Sequence, residues 1–294
     1  MDSENIQKEI ENILNERKNY DTLVLSGNST NAIITLGALQ YLYEQNFLDE
    51  IQTYVGTSSG AMLCLLLNIG YEPIDLISFI CTENVYKKIH KISFSNIIFE
   101  SKNLITFEPI KNSLEQLIME KMGFVPTLAE LEKINSKKLV FVTYNLTDDQ
   151  REYVSYKNYP DISIVDALHM SSNFPLIFEP FSYKGKNYID GGFVDNFAIE
   201  YGEICGNKCL GVLTVNPSKK FNPEEFNKID YVLKLIHIFI NTTTQDKINK
   251  SNCDIIKLDH ESNFFNFATK NLDLIKMFDL GYKICKENEC WDYI

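Results

Sequence analysis

Apolar and polar positions along the chain fall into short units. Residues 4–18 place Ile6, Ile10, Ile13 and Leu14 at i, i+4, i+7 and i+8, which predicts an amphipathic lead-in helix within residues 1–20. Residues 22–26, TLVLS, read as a short apolar strand. A loop of small residues follows, Gly27-Asn28-Ser29-Thr30-Asn31, and then the helical pattern AIITLGALQYLYEQ. The unit repeats at residues 53–67, TYVGTSSGAMLCLLL: strand, tight turn, buried helix. Two such units in tandem imply a parallel sheet covered by helices, with both small-residue loops opening at the carboxyl ends of the strands.

Residues 72–135 are mostly helical in pattern, punctuated by Pro73, Pro109 and Pro126, with a separate helix over 109–122. Phe94, Ile97, Ile98, Phe99, Leu104, Ile105 and Phe107 form an aromatic-rich insert that reads as core, or as a wall of an acyl-chain pocket. KLVFVTYNL at 138–146 and EYVSY at 152–156, joined by a polar turn, predict a hairpin or adjacent strands. Residues 163–172 are a serine-capped helix whose His169 reads as a core histidine. A strand over 183–189, interrupted at Lys184-Gly185-Lys186, ends in Asp190-Gly191-Gly192. Strands at 210–215 and 254–258 and helices at 224–240 and 272–286 complete the chain. No repeat or low-complexity tract divides residues 21–294, which read as one domain.

Composition narrows the classes. With 45% hydrophobic and 23% charged residues the chain is globular rather than disordered. A formal charge of −12 leaves no electrostatic footprint for nucleic acid; docking on anionic lipid would need a local basic patch, and a neutral surface stays open. The seven cysteines are scattered without paired C-x-x-C spacing, so reduced thiols in a cytosol-like compartment are expected. The polar, acidic N-terminus does not read as a secretory signal. The longest apolar run, 61–67, is far short of the roughly 20 residues that span a bilayer. The expectation is an intracellular protein, soluble or peripheral to a membrane.

Gly56-Thr57-Ser58-Ser59-Gly60 is a G-x-S-x-G between a strand and a helix, the pattern of a nucleophile elbow, with Ser58 exposed on a sharp turn. Gly56 and Gly60 allow close backbone approach, and the helix aims its positive end at the serine. On the pentapeptide alone, a Ser/Gly-rich turn capping a core helix fits as well. A serine nucleophile needs a base. The candidates are His90, His169, His237, His260 and a carboxylate, of which Asp190 stands out at a strand end before Gly191 and Gly192. By itself D-G-G is also an ordinary turn.

Together, LVLSGNSTNAIITLGAL, GTSSG, ALHMSSNFPLIFEP and YIDGGFVDN, in this order between residues 22 and 196, resemble the patatin-like phospholipase family, more faintly beyond. The resemblance implies an α/β fold of three layers, a mainly parallel central sheet flanked by helices. It implies a lipid acyl hydrolase of the phospholipase A type, with Ser58 and Asp190 as a dyad working through an acyl-enzyme, on a lipid or phospholipid substrate and without metal or cofactor. The loop amides of Gly27, Asn28 and Ser29 would form the oxyanion hole. The family loop has three glycines, a variable residue, a basic residue and a glycine, whereas this chain has Gly27-Asn28-Ser29-Thr30-Asn31-Ala32; because Asn tolerates positive φ, a hole could still form at Gly27 and Asn28. Asn196 matches the family, and Ala198 stands where proline is usual.

Two rival readings follow. An α/β-hydrolase triad would use His260 after the last strand, although the elbow comes early for that fold. A lipid-binding or interaction protein on the same fold could have lost turnover through the altered loop. The aromatic run Phe264-Phe265-Asn266-Phe267 reads as packing on the last helix, or as a loop dipping into lipid.

Overall fold

The computed structural model describes residues 19–86, 106–175, 177–215, 228–259 and 270–287. The lead-in helix, the insert up to Ile105, His90, His260 and the Phe264–Phe267 run lie outside these residues.

The strands form one sheet, and the interrupted strand read over 183–189 is two: β1 (Thr22–Leu25), β2 (Thr53–Thr57), β3 (Lys138–Asn145), β4 (Gln150–Val154), β5 (Phe181–Tyr183), β6 (Lys186–Asp190), β7 (Cys209–Val215) and β8 (Asp254–Asp259). Hydrogen-bonded neighbours run β5, β6, β3, β2, β1, β7, β8, with β4 also on β3. Five strands are parallel, as the strand-loop-helix pattern requires. The antiparallel part comes from two tight turns: β3 to β4 is the predicted hairpin, and β5 turns into β6 through Lys184 and Gly185, both with positive φ (48° and 77°).

Register explains how the site is assembled. β3 pairs with β2 up to Thr57↔Val142, and with β6 from Thr143↔Asp190 onward. β4 overlaps both partners along β3, so it takes the opposite side. β6 therefore continues the line of β2 on the same side of β3, and its last residue, Asp190, arrives where β2 ends. The crossing is tight: a Cβ on Gly191 would stand 2.3 Å from the Val142 carbonyl oxygen.

The pleat sends alternate strand residues to two cores. Leu23, Leu25, Tyr54, Leu139, Phe141, Leu210 and Val212 face α1 (Ala32–Glu44), α2 (Ser59–Asn68), α3 (Pro73–Thr82), α4 (Glu108–Met122), α5 (Leu128–Asn135) and α6 (Ile164–Ser172). Val24, Val55, Val140, Val142 and Leu213 face the other way. They meet residues beyond the short α7 (Gly192–Asp195): Phe197, Ala198 and Ile199 at the start of α8 (Ile199–Cys205), and Ile248 at the end of α9 (Lys228–Ile248). The last helix, α10 (Asn271–Glu287), packs on α1 backbone to backbone: a Cβ on Gly281 would lie 1.8 Å from Ile34 O, and one on Gly37 1.9 Å from Phe278 O. This is the expected three-layer arrangement.

α9 runs eight residues past its predicted end. The threonines there do not break it, because Thr242 and Thr243 turn their hydroxyls back onto the Ile238 and Phe239 carbonyls at 2.9 and 3.0 Å. Phe107, the described end of the aromatic insert, is core and stacks on His169 with ring centroids 4.1 Å apart. Burial pushes the His169 imidazole down to about 4, so at neutral pH it is an uncharged aromatic filler. Cys64, Cys81, Cys205, Cys209 and Cys253 are free thiols.

Candidate active site

The elbow is built as its spacing predicts. β2 ends at Thr57, α2 begins at Ser59, and Ser58 between them takes φ 54°, ψ −123°, a conformation that costs a non-glycine residue about 1–3 kcal/mol and that only its surroundings can hold. Those surroundings are tight. A Cβ on Gly56 would meet the Ala61 backbone at 2.6 Å, and one on Gly60 would meet the Leu25 and Ser26 carbonyls at 2.5 Å. The Ser58 N–H donates to Ser171 Oγ at 3.0 Å, and the Thr57 hydroxyl donates to the Asp195 carbonyl at 2.9 Å.

Asp190 is 2% exposed. Its Oδ1 accepts from the Gly192 N–H at 2.7 Å, and it lines the same cavity as Ser58, whose side chain stands near enough to lower its pKa. Burial raises its pKa from the ordinary 3.8 to about 6, the nearby Ser58 side chain and the Gly192 N–H pulling it partly back. A carboxylate of this basicity is ionised at neutral pH and is a far better proton acceptor than an exposed one. The segment around α6 holds it in place: Asp190 N–H donates to Asn173 O (3.0 Å), and Gly191 N–H to Ser171 O (3.3 Å).

The small-residue loop lies against both. Gly27 and Asn196 bond reciprocally, Gly27 N–H to Asn196 O at 3.1 Å and Asn196 Nδ2 to Gly27 O at 3.0 Å. The Asn28 N–H donates to Ser59 Oγ at 2.9 Å. Asn28 does not use the positive φ that Asn tolerates: its φ is −142°, its side chain is buried on Ser26 and Thr35, and Ser29 takes the positive φ (51°). Of the loop amides predicted to face the reaction, the first two thus have protein acceptors. The Ser29 N–H and the Ser59 hydroxyl proton are without one among the described residues.

Ser58, Ser59 and Asp190 line a cavity of about 180 Å³ whose other walls are mostly apolar, among them Met62, Leu66, Ile80, Leu114, Phe178 and Ile240. Among the described residues no three His, Cys, Asp or Glu side chains are grouped to hold a metal, and no single helix is long and apolar enough to cross a membrane. Beside the site, Asp195 is buried and paired with Lys247 of α9 (2.5 Å) and Arg151 of β4 (3.2 Å), with Tyr153 donating at 2.8 Å. Sequence reading brought Ser58, Asp190, Gly27 and Asn196 to attention. It missed Ser59, Ser171 and Asn173, although Ser171 and Asn173 sit inside the ALHMSSNFP motif.

The family model described as patatin-like phospholipase matches residues 23–202. Probable lipid hydrolase 463L of Invertebrate iridescent virus 6 is 29% identical over 269 residues, covering 88% of this chain and 90% of that protein. Uncharacterized protein R571 of Acanthamoeba polyphaga mimivirus is 26% identical over 282 residues, covering 90% and 92%. Among solved structures, VipD from Legionella pneumophila aligns with a TM-score of 0.53 at 16% identity, over 92% of this chain and 66% of VipD, a likeness of fold.

Proposed function

This chain belongs to the patatin-like phospholipase family, and from that premise we propose that it is a lipid acyl hydrolase of the phospholipase A type, cleaving glycerolipid esters with Ser58 and Asp190. The observation that carries this reading is the pairing of a strained serine with a buried carboxylate at the wall of an apolar cavity. Ser58 Oγ attacks the ester carbonyl carbon while its proton passes to Asp190. The tetrahedral intermediate collapses, the ester C–O bond breaks, and the lysolipid alcohol leaves with the proton from Asp190. Water then attacks the acyl-Ser58 ester, giving its proton to Asp190, and collapse frees the fatty acid and restores the serine. The apolar walls take the acyl chain.

In this reading the oxyanion is held by the Ser29 N–H and by the Ser59 hydroxyl, whose oxygen the Asn28 N–H fixes. The side chain after the nucleophile thereby replaces donors that the family's glycines supply. A hydrophobic fluorophosphonate tests both claims, because its phosphoryl oxygen occupies the oxyanion position. Labelling is expected in the wild type and absent in Ser58→Ala. Ser59→Ala should label and turn over about 100-fold to 1000-fold more slowly, with Ser59→Thr close to wild type. Faster labelling in Ser59→Ala would mean that the hydroxyl obstructs the hole, and no labelling at all would favour a lipid-binding protein without turnover.

The base also fixes the pH dependence. Since Asp190 must be ionised and its pKa is about 6, kcat/KM on a soluble ester should climb about tenfold per pH unit below that value and level off near pH 7. A profile that is flat down to pH 4.5 would remove Asp190 from the role of base.

A further inference from the structure

The helix α9 is apolar on two sides. Inward, Leu233 and Ile236 pack against the cluster of Phe174, Ile177 and Phe178, and Ile240 lines the cavity that holds Ser58. Outward, Tyr231, Val232, Leu235, Ile238 and Phe239 are 48, 41, 48, 46 and 55% exposed. At about 100° per residue these five fall in one stripe roughly 120° wide, on the face away from Ile240. Exposed apolar stripes of this width are interaction sites.

We propose that the outward stripe of α9 docks this protein on a zwitterionic lipid surface, so that the helix walling the acyl cavity is also the element that meets the lipid. The inference rests on the lipid hydrolase reading and names where the substrate aggregate sits. Two observations choose the occupant. The first is continuity: inner and outer faces of one helix are apolar, and the inner one already forms the wall of the cavity beside the nucleophile. The second is charge. Between Tyr231 and Thr242 the one charged side chain, Lys234, falls beside the stripe rather than on it. The chain carries a formal charge of −12. Anionic headgroups and a second copy of this chain both repel such a molecule, whereas a neutral phosphatidylcholine surface does not. The aromatic ends of the stripe, Tyr231 and Phe239, suit the boundary between headgroup and acyl chain.

The test is co-sedimentation with phosphatidylcholine vesicles in the Ser58→Ala background, so that hydrolysis leaves the vesicles unchanged. Leu235→Lys with Phe239→Lys should weaken binding about 100-fold, while in the active background hydrolysis of a short soluble ester stays within twofold. Phe239→Trp should give a blue-shifted emission on phosphatidylcholine vesicles that brominated lipid quenches. Because binding is read without turnover, its failure is distinguishable from failure of the proposed chemistry, which the soluble ester reports. Undiminished binding by the double variant, an unshifted Phe239→Trp spectrum, or tighter binding to phosphatidylserine vesicles would each overturn the proposal. So would a wild-type dimer that the double variant breaks, or a double variant that no longer folds, since the stripe would then be covered by protein.

Discussion

Asp190→Asn is expected to release fatty acid from mixed phospholipid vesicles about 10³-fold to 10⁴-fold more slowly than wild type, and yet to unfold at a higher temperature. The loss follows from removing the buried carboxyl proposed as the base for Ser58, since Asn cannot take the proton. The gain follows from the same burial. The folded-state pKa of Asp190 is raised from 3.8 to about 6. Between those values the folded protein holds a proton that the unfolded chain has lost, so this group's contribution to stability is full below about pH 4 and is lost as pH rises through 6. Above that, keeping the carboxylate ionised in the interior costs up to ~3 kcal/mol. Asn carries no such cost, so the variant's advantage should be small near pH 4 and reach a plateau near pH 7, at about 5–10 °C in Tm. A variant that keeps activity within tenfold, or one less stable than wild type at pH 8, would contradict the assignment.

The largest effect on stability is expected away from the site, where α1 and α10 cross. With a Cβ on Gly281 directed to within 1.8 Å of Ile34 O, Gly281→Ala cannot be absorbed by turning a side chain; the two helices must separate. Since α1 carries Ile33, Ile34, Leu36 and Leu39, all buried in the main core, separation loosens contacts along its length. A loss of about 3–5 kcal/mol is expected, or roughly 10 °C in Tm. Adding Gly37→Ala, which strikes the same crossing from the other helix, should cost much less than it does alone, because the spacing has already opened. Chemical denaturation of the two single variants and the double checks this; additive losses would mean that the contacts act independently.

What could be read from the chain in advance was local. Thr57 and Gly60 flank Ser58 within one turn, and the apolar run that follows is a helix wherever it packs, so the elbow was visible at once. Asp190 was visible as a strand end before two glycines. The loop donors were not, because a backbone N–H has no sequence signature for its acceptor: Gly27 bonds to Asn196 and Asn28 to Ser59, partners 169 and 31 positions away. The left-handed residue went to Ser29 rather than Asn28 because the Asn28 amide found partners at Ser26 and Thr35 instead. Ser171 looked like the end of a helix, and its bond to the Ser58 N–H exists only once α6 lies beside β2. The end of α9 was not legible because the apolar pattern stops at Ile240, while the helix continues through threonines whose hydroxyls bond to the preceding turn.

The split partnership along β3 sets a covalent gauge for the backbones at Ser58 and Asp190. Val142 pairs with the strand that leads into Ser58, and Thr143 with the strand that ends at Asp190. Neighbouring Cα atoms across a trans peptide are about 3.8 Å apart whatever the surrounding loops do. Sideways breathing of the sheet therefore carries the ends of these two strands together, and the backbone step between them is inherited from one peptide unit.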